Sequence, residues 1–351
     1  MGIKDLNTFL LKSAPECFSS LSISDLNNYA IAIDSVLLLH AYIAAAQKEI
    51  IMKTPDPLQQ IERMAVLEYA KEKILSFIEK FSIYGVTLVW IWDGEAVPDK
   101  IKAHERITKQ KTSINDKISQ LKEELLAMHP LSRDAKKLSE LKSLLVQKVS
   151  VSSDEKLLFK NFFTSLGFPC FVAATEAEVL CASLAREGKV AGVWSTDTDN
   201  FPLGTPMLLT GFDGYTPEKH PKINISYPSV ALSRLNLTVT EFIDFCIMLE
   251  CDFNERMPNI GPIKAQKLIN QYRNIDQIAV YRPDLPVDKL NHHKCRECFQ
   301  HLPSNISMEE LQLNLQAPVL NSYPTLFKLF STIPKPRTVS FTYRIYISTE
   351  I

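Results

Sequence analysis

The chain has 351 residues, of which 46% are hydrophobic and 23% charged, a composition typical of a globular protein with a substantial core. This length predicts about two domains, or one large domain with an insertion. The low glycine count of 10 excludes collagen-like and low-complexity chains. The net charge of −1 does not by itself predict a nucleic-acid partner, so the distribution of charge along the chain matters more.

The cysteines and the N-terminal sequence lead us to expect a soluble intracellular protein. Seven scattered cysteines, an odd number, argue against a disulfide framework and favour a reducing compartment. The first ten residues lack the basic and long apolar regions of a signal peptide, and Leu6 stands where a myristoylation motif requires Ser or Thr. The most apolar run, residues 29–46, contains Asp34 and His40 and is too interrupted to span a bilayer.

Strand and helix patterns alternate along the chain. A short strand at 30–33 leads into a helix, and a long amphipathic helix is predicted over 57–84. The unbroken apolar run at 86–93 is typical of a parallel strand buried on both faces. After residue 154 the alternation resumes, with predicted strands at 169–173, 190–197 and 207–212. We therefore predict an α/β fold with a mixed, mainly parallel twisted sheet flanked by helices.

Residues 94–150 differ from this pattern because they are polar and helical. Residues 94–149 hold 12 Lys/Arg against 8 Asp/Glu, a local charge of +4 that leaves −5 for the rest. Taken alone, such a charge run is typical of a solvated helical hairpin or coiled coil. Further on, two helices joined by a Gly-Pro turn are predicted, and the pattern weakens after about residue 282. The predicted regions are 1–93 and 151–239 as the core, 94–150 as an insertion, 240–282 as a helical module and 283–351 as an extension of unknown role.

Seven carboxylates fall where a parallel sheet would gather them at one edge, because they follow strands or flank the helices next to them. They are Asp34, Asp93, Glu176, Glu178, Asp197, Asp199 and Asp252, the last expected to end a helix. So many acids would repel one another unless cations held them, and carboxylate and water ligands suit Mg²⁺ or Mn²⁺. Two such ions about 4 Å apart can activate a water for attack on a phosphodiester. Each acid alone could equally be a helix N-cap or a first-turn acid, so both interpretations stay open.

Short motifs around these acids follow one another in a specific order. They are Met1-Gly2-Ile3, AIDS at 32–35, IWDG at 91–94, TEAE at 175–178, STDTD at 195–199 and CDFNERMPNIGPIKA at 251–265. Over roughly residues 1–280 the chain thereby resembles the flap endonuclease and exonuclease-one superfamily of structure-specific 5′ nucleases. The resemblance adds an inserted helical arch and a C-terminal helix-two-turn-helix module to the predicted fold.

The resemblance implies a two-metal site and a basic entrance for DNA. Two Mg²⁺, with Mn²⁺ as a substitute, would be held by a first cluster of Asp34, Asp93, Glu176 and Glu178 and a second of Asp197, Asp199 and Asp252. The insertion would be the gateway and arch that admit single-stranded 5′ ends. Lys100 would contact the scissile phosphate, and Arg106, about one residue out of register, is the nearest candidate for its arginine partner. The remaining residues expected to contact DNA here are Gly2, Lys102, Lys109 and Lys111.

Two further positions carry over from the resemblance. The turn at 259–262 before Lys264 is similar to the helix-two-turn-helix, where backbone amides such as that of Gly261 and a K⁺ ion hold duplex phosphates. Asn259 stands where the family usually has its first glycine, and asparagine tolerates a positive φ better than other non-glycine residues. His40 stands where exonuclease-one proteins carry a histidine that stacks at the bend between two duplexes; otherwise it is a helix-surface histidine.

The expected activity is Mg²⁺-dependent hydrolysis of DNA at 5′ flaps, junctions, 5′ ends or nicks, in replication, repair or recombination. The alternatives are mainly 5′–3′ exonuclease action on double-stranded DNA, resolution of branched DNA, or, in another class, a catalytically silent junction-binding scaffold. A phosphatase-like hydrolase built on Asp197-Thr198-Asp199 would leave the insertion and the helix pair unexplained. We expect a monomer acting on branched or nicked DNA in the nucleus or at a viral cytoplasmic replication site.

The C-terminal region gives two negative indications. The tail shows no sliding-clamp motif, so a clamp partner is not expected. Residue types that can bind zinc cluster between 292 and 301, but they are crowded and no distant second pair completes a tetrahedron. They are His292, His293, Cys295, Cys298 and His301. A helix with ordinary polar residues is therefore favoured there.

Overall fold

A computed structural model describes residues 2–95, 101–213 and 221–300, with the backbone alone over 101–107. Seven strands in these residues form one sheet, in the order β1-β7-β6-β5-β2-β3-β4. The five strands from β6 to β4 are parallel, and β7 is antiparallel to both β1 and β6. The strands are β1 (Phe18–Ser22), β2 (Ala30–Asp34), β3 (Thr87–Trp92), β4 (Cys170–Val172), β5 (Gly192–Trp194), β6 (Leu208–Asp213) and β7 (Lys222–Ser226). The prediction of a mixed, mainly parallel sheet is confirmed.

Twelve α-helices lie in the same part of the chain. They are α1 (Leu6–Ser13), α2 (Ser35–Lys53), α3 (Arg63–Ser82), α4 (Ile101–Ala127), α5 (Ala135–Gln147), α6 (Ser153–Ser165), α7 (Ala177–Arg186), α8 (Pro228–Leu235), α9 (Val239–Leu249), α10 (Pro262–Tyr272), α11 (Ile275–Tyr281) and α12 (His292–Gln300). The sequence analysis missed α1 and α8 and the antiparallel strands β1 and β7. Strands β1 and β7 are short and lack a long apolar run, so the local sequence gives no strand signal. They form by pairing with segments that are distant in the chain.

The sheet separates two hydrophobic cores, and the side chains of its central strands alternate between them. In β2, Ile31 and Ile33 enter the core covered by α2, α3 and α6, while Ala30 and Ala32 enter the core formed with α1 and α7 to α10. Because both faces are covered, every residue of β2 is buried. This double burial explains why the strand reads as a continuous apolar run in the sequence.

Helix α3 begins at Arg63, so the predicted helix over 57–84 was too long at its start. The preceding segment instead contacts the insertion: Asp56 pairs with Arg133 at 3.2 Å, and Leu58 packs against the core between α4 and α5. Lys142 donates to the carbonyl oxygen of Thr54 at 2.7 Å. These tertiary contacts hold the segment in a non-helical path that periodicity could not reveal.

Helix α9 ends at Leu249, and Asp252 therefore lies in the turn that follows and not at the helix end that was predicted. Glu250 has a φ of 87°, which breaks the helix before Asp252. The left-handed conformation costs a non-glycine residue energy, so the surrounding packing must impose it.

The insertion is a helical hairpin with a small core of its own. Ile118, Leu121 and Leu125 of α4 pack against Leu141 of α5, apart from the two cores of the sheet. Gln47 of α2 fastens the end of the hairpin by donating to two backbone carbonyl oxygens, those of residues 145 and 148, at 2.7 and 3.0 Å. The hairpin is thus attached to the core through α2 and the segment before α3.

By length and composition alone, α2 is the one helix of the described residues that could cross a membrane. Here its residues Leu38, Leu39 and Ile43 are buried in the core between the sheet and α3. A core helix of this kind passes the same test of length and composition.

We expect Leu141→Ala to loosen the hairpin without unfolding the sheet. The side chain is fully buried in the hairpin core, and truncation of a buried leucine costs about 2–5 kcal/mol. Limited proteolysis should therefore become faster within residues 101–147, while the main thermal transition hardly moves.

The matched control is Phe163→Ala, which removes a ring stacked 4.0 Å from that of Trp90 in a core of the sheet. It should lower the main transition. If Leu141→Ala lowers that transition as much as the control does, the hairpin and the sheet unfold as one unit.

Candidate metal centre

The carboxyl ends of four parallel strands meet at one edge of the sheet. Strands β5, β2, β3 and β4 are neighbours in this order, and the chain continues from them to acidic residues. Asp34 is the last residue of β2 and Asp93 follows β3 directly, while Glu176 precedes α7 and Asp197 comes shortly after β5. From β2 the chain continues to β3 on one side and returns later to β5 on the other side. The strand order therefore reverses at β2, and α/β sheets bind ligands at such a reversal.

Three of the acids also cap backbone amides. Oδ1 of Asp34 accepts from the amide of Leu37, Oδ1 of Asp93 from that of Ala177, and Oδ1 of Asp197 from that of Asp199, each at 3.1 Å. The capping interpretation therefore holds for these three acids, and it does not exclude that they also belong to a cluster. A carboxylate fixed through one oxygen keeps a defined orientation for the other.

Glu178, Asp197 and Asp199 form a tight group. One carboxylate oxygen from each lies within 4.8 Å of the others. Asp197 and Asp199 are only 3% and 1% exposed, so water screens their mutual repulsion poorly. Such a set has the right donors for a hard cation.

Asp34 connects the acids on the two sides of the site. Burial raises the pKa of Asp34 to about 7; the amide of Leu37 opposes this rise, and the charges of Asp93, Asp197 and Glu176 add to it. The carboxyl group of Asp34 is therefore close enough to the acids that follow β3, β4 and β5 for their negative charges to act on it.

Asp252 lies in the turn after α9 and directly follows Cys251 in the chain. The hydrogen bond with Cys295 and burial raise the pKa of the neighbouring Cys251 thiol most, and the charge of Asp199 raises it further. The turn is thus close enough to Asp199 for its charge to act there.

Two glycines allow the loops to approach this edge closely. Gly2 has a φ of 89°, and a β-carbon there would collide with Oδ1 of Asp197. A β-carbon on Gly94 would overlap the carbonyl oxygen of Ala173, and the amide of Gly94 donates to the carbonyl of Thr175 at 2.6 Å. This second contact ties the loop after β3 to the loop after β4, and so brings Asp93 near Glu176.

Lys156 is a residue of this site that the sequence analysis missed. Its Nζ lies 3.7 Å from Oδ2 of Asp93. The start of α6 is fixed by a capping box between Ser152 and Glu155, and Arg63 donates two hydrogen bonds to Glu155 at 2.6 and 2.9 Å. In the sequence Lys156 is one lysine near the start of an amphipathic helix, so no local signal distinguishes it.

The predicted DNA contacts are placed unevenly. Lys109 and Lys111 are exposed on α4, whereas Lys102 and Arg106 lie in its first turns, where only the backbone is described. Lys100 lies outside the described residues. His40 is on the exposed side of α2; partial burial and then the charge of Lys111 lower the pKa of its ring, and a backbone hydrogen bond with Val149 opposes them. The positive charge of Lys111 on the hairpin therefore acts on the His40 ring.

The turn before α10 has the conformation expected from its sequence. Asn259 adopts a φ of 61° in the left-handed region, and Lys264 donates to its carbonyl oxygen at 3.0 Å. Gly261 is the N-cap of α10, has a φ of −92° and would meet nothing within 4 Å if it carried a β-carbon. The fold itself therefore does not require glycine at position 261.

Comparison with known proteins agrees with this architecture. The XPG I-region family matches residues 167–252, which include Glu176 to Asp252 of the acidic edge. Flap endonuclease 1-2 of Paramecium tetraurelia is 29% identical over 285 residues, covering 79% of this chain and 67% of that protein. Flap endonuclease 1 of Debaryomyces hansenii is 28% identical over 327 residues, covering 91% of this chain and 81% of that protein.

Solved structures share the fold at lower sequence identity. The catalytic core of Rad2 in complex with a DNA substrate has a TM-score of 0.56 at 14% identity, covering 94% of this chain and 85% of that one. Flap endonuclease-1 from Methanococcus jannaschii has a TM-score of 0.54 at 16% identity, covering 90% of this chain and 94% of that one. The sheet and its flanking helices are thus shared with these proteins. By the XPG I-region match and the flap endonuclease relatives, the chain is similar to the flap endonuclease and XPG nucleases.

Since the acids repel one another, we expect Asp34→Asn to stabilise the metal-free protein. Asparagine can still cap Leu37, but it removes a buried charge. Thermal unfolding in EDTA at pH 8 should show a gain of roughly 1–3 kcal/mol.

The sign follows from linkage: an acid whose pKa is raised from 3.8 to about 7 on folding destabilises the fold increasingly between these two pH values and fully above them, so the gain should shrink as the pH falls below 7 and vanish below about 4. In excess Mg²⁺ the variant should lose its advantage, because a ligand is missing. A variant less stable than the unaltered chain in EDTA at pH 8 would contradict the repulsive cluster.

Proposed function

We propose that this chain is a structure-specific 5′ nuclease that hydrolyses DNA at 5′ flaps or single-strand/double-strand junctions and from 5′ ends or nicks, in replication, repair or recombination. The observation that carries the proposal is the set of carboxylates gathered at the edge of the sheet, with three acids within 4.8 Å of one another. It is supported by relatives named flap endonucleases and by a structural neighbour, Rad2, bound to a DNA substrate.

The donor set fits divalent metal ions. The seven acids offer only oxygen ligands, which suit Mg²⁺ and Mn²⁺ better than softer metals. We assign the first ion to Asp34, Asp93, Glu176 and Glu178 and the second to Asp197, Asp199 and Asp252. When bound, two such ions supply an activated water and stabilise charge on the leaving oxygen.

The chain's own residues orient this site. The caps on Leu37, Ala177 and Asp199 fix one oxygen of three carboxylates, so these groups need little reorganisation to bind a cation. Gly2 lets the N-terminal segment lie directly against Asp197. The ammonium of Lys156 lies at the mouth of the site near Asp93, where it would attract a phosphate.

The basic hairpin would guide DNA to the acids. Its local charge of +4 contrasts with −5 on the remaining chain, which favours approach of the phosphate backbone from this side only. Lys109 and Lys111 are exposed on α4, and we assign them, with Lys102, to backbone contacts. Lys100 and Arg106 are proposed to act on the scissile phosphate.

The turn before α10 would hold duplex DNA. Open space around Gly261 leaves the first amides of α10 accessible to a phosphate, and Lys264 is anchored beside them. A K⁺ ion at this turn belongs to the same proposal. The protein would act as a monomer, in the nucleus or at a viral replication site in the cytoplasm.

One observation favours a more exonucleolytic enzyme. His40 lies on the exposed side of α2, within the field of Lys111 on the hairpin, where its ring could stack at a bend in the DNA. Release of single nucleotides from nicks and duplex ends would support this alternative, and cutting at the base of a 5′ flap the flap endonuclease. Both outcomes should require Mg²⁺ and stop in EDTA.

We expect Asp197→Ala to lower the cleavage rate by about 10³-fold or more while junction binding stays within a few fold, because it removes a metal ligand and not a phosphate contact. The assay follows 5′-labelled flap, nicked and blunt duplexes at saturating enzyme, with binding measured in Ca²⁺. Asp213→Ala is the matched control, since Asp213 ends the parallel strand β6 at the same edge but is exposed. Wild-type turnover by Asp197→Ala would overturn the proposed site.

Gly261→Ala should weaken duplex binding by about tenfold and leave the thermal stability unchanged or slightly higher. The new methyl group meets no protein atom, so only a ligand close to the backbone can feel it. Unchanged DNA affinity in this variant would remove the turn from the duplex contact.

A further inference from the structure

A second group of possible metal ligands lies between α11 and α12, outside the acidic edge. It consists of Asp276, His292 and His293, with one ligand atom from each within 4.8 Å of the others. Nε2 of His292 lies 2.9 Å from Oδ1 of Asp276, and Nε2 of His293 lies 3.6 Å from the same oxygen. Two imidazoles thus point at one carboxylate oxygen.

These separations match the edges of a small coordination polyhedron. A tetrahedral Zn²⁺ with bonds of 2.0–2.1 Å has ligand atoms about 3.3 Å apart. The two imidazole rings lie 4.1 Å apart at 36° to each other, so both nitrogens reach the same space without moving either helix. The ion would replace the proton now shared between Nε2 of His292 and Asp276.

The charges around the group favour a cation. Arg296 is bound by both oxygens of Asp244 at 2.6 and 2.7 Å and also lies 2.7 Å from Oδ2 of Asp276. One guanidinium therefore serves two carboxylates, which leaves a net charge of −1 when the imidazoles are neutral.

Arg296 also provides the outer contact that metal-binding carboxylates usually have. It fixes Asp276 through the oxygen that would not bind the ion, and Asp244 fixes Arg296 in turn and accepts from the amide of Ile275 at 2.9 Å. The carboxylate is therefore pre-oriented from the start of α11.

We propose that Asp276, His292 and His293 bind a Zn²⁺ ion that links α11 to α12. Two imidazole nitrogens and one carboxylate oxygen are ligands typical of zinc, and three protein ligands leave a fourth position for water. The sequence analysis favoured an ordinary polar helix here, because the zinc-capable residues His292, His293, Cys295, Cys298 and His301 are crowded and have no distant partner. Cys295, however, is buried with its Sγ 3.9 Å from that of Cys251, and the missing distant ligand is Asp276, which the fold supplies.

The test is a calorimetric titration of the reduced, metal-stripped full chain with Zn²⁺ in millimolar Mg²⁺, which occupies oxygen-only sites. We expect one Zn²⁺ per chain and a rise in the unfolding temperature. His293→Ala should weaken binding by about tenfold or more, since even outer contacts of a metal site cost that much. The His293 side chain is 76% exposed, so this variant keeps the fold.

His292→Ala should behave in the same way, and His129→Ala, which removes an exposed histidine of the hairpin turn, should bind Zn²⁺ like the unaltered chain. Co²⁺ in place of Zn²⁺ should show visible d–d bands without a thiolate charge-transfer band. Unchanged affinity in His293→Ala, displacement of Zn²⁺ by Mg²⁺, or a thiolate band would each overturn the site. None of these readouts depends on nuclease activity.

Discussion

Electrostatic repulsion among carboxylates at one edge of the sheet is the constraint on which the other features of this molecule depend. Buried acids such as Asp34, Asp197 and Asp199 cannot be placed together without a cost, because little water screens them. Burial of apolar side chains in the two cores on either side of the sheet offsets this electrostatic cost. Backbone amides also donate hydrogen bonds to the acids and fix their orientation. A divalent cation bound at this edge would offset the remaining repulsion.

The supporting structure follows from this constraint. Gly2 allows the N-terminal segment to pass so close to Asp197 that any side chain would collide with it, and Gly94 allows the loop after β3 to pass against the backbone of Ala173. Arg63 holds Glu155 and thereby the start of α6, from which Lys156 reaches towards Asp93. The same region connects the core to the hairpin through Gln47. The hairpin and the acidic edge are therefore positioned by one set of contacts.

The C-terminal helices have a separate ionic centre. Asp244, Asp276 and Arg296 form an ionic network that joins α9, α11 and α12. This network has a net charge of −1, which would favour a cation bound by Asp276 and the two histidines of α12. It lies apart from the acidic edge of the sheet, and the proposed Zn²⁺ would stabilise the arrangement of α11 and α12. The two groups offer different ligands: oxygens alone at the edge, and two nitrogens with one oxygen at the helices.

The sequence alone determined the α/β class, the parallel strands and the positions of the acids, because burial on both faces and strand-end placement leave a local pattern. Helix caps were equally local, and Asp34 and Asp197 proved to be both caps and cluster members. Only the tertiary structure decided the rest. Three examples are the start of α3 at Arg63, the ion pair between Lys156 and Asp93, and the hydrogen bond between Asp276 and His292. Each depends on a contact between residues 16 to 92 positions apart in the chain. No periodicity records such contacts, because they arise from the packing of whole elements.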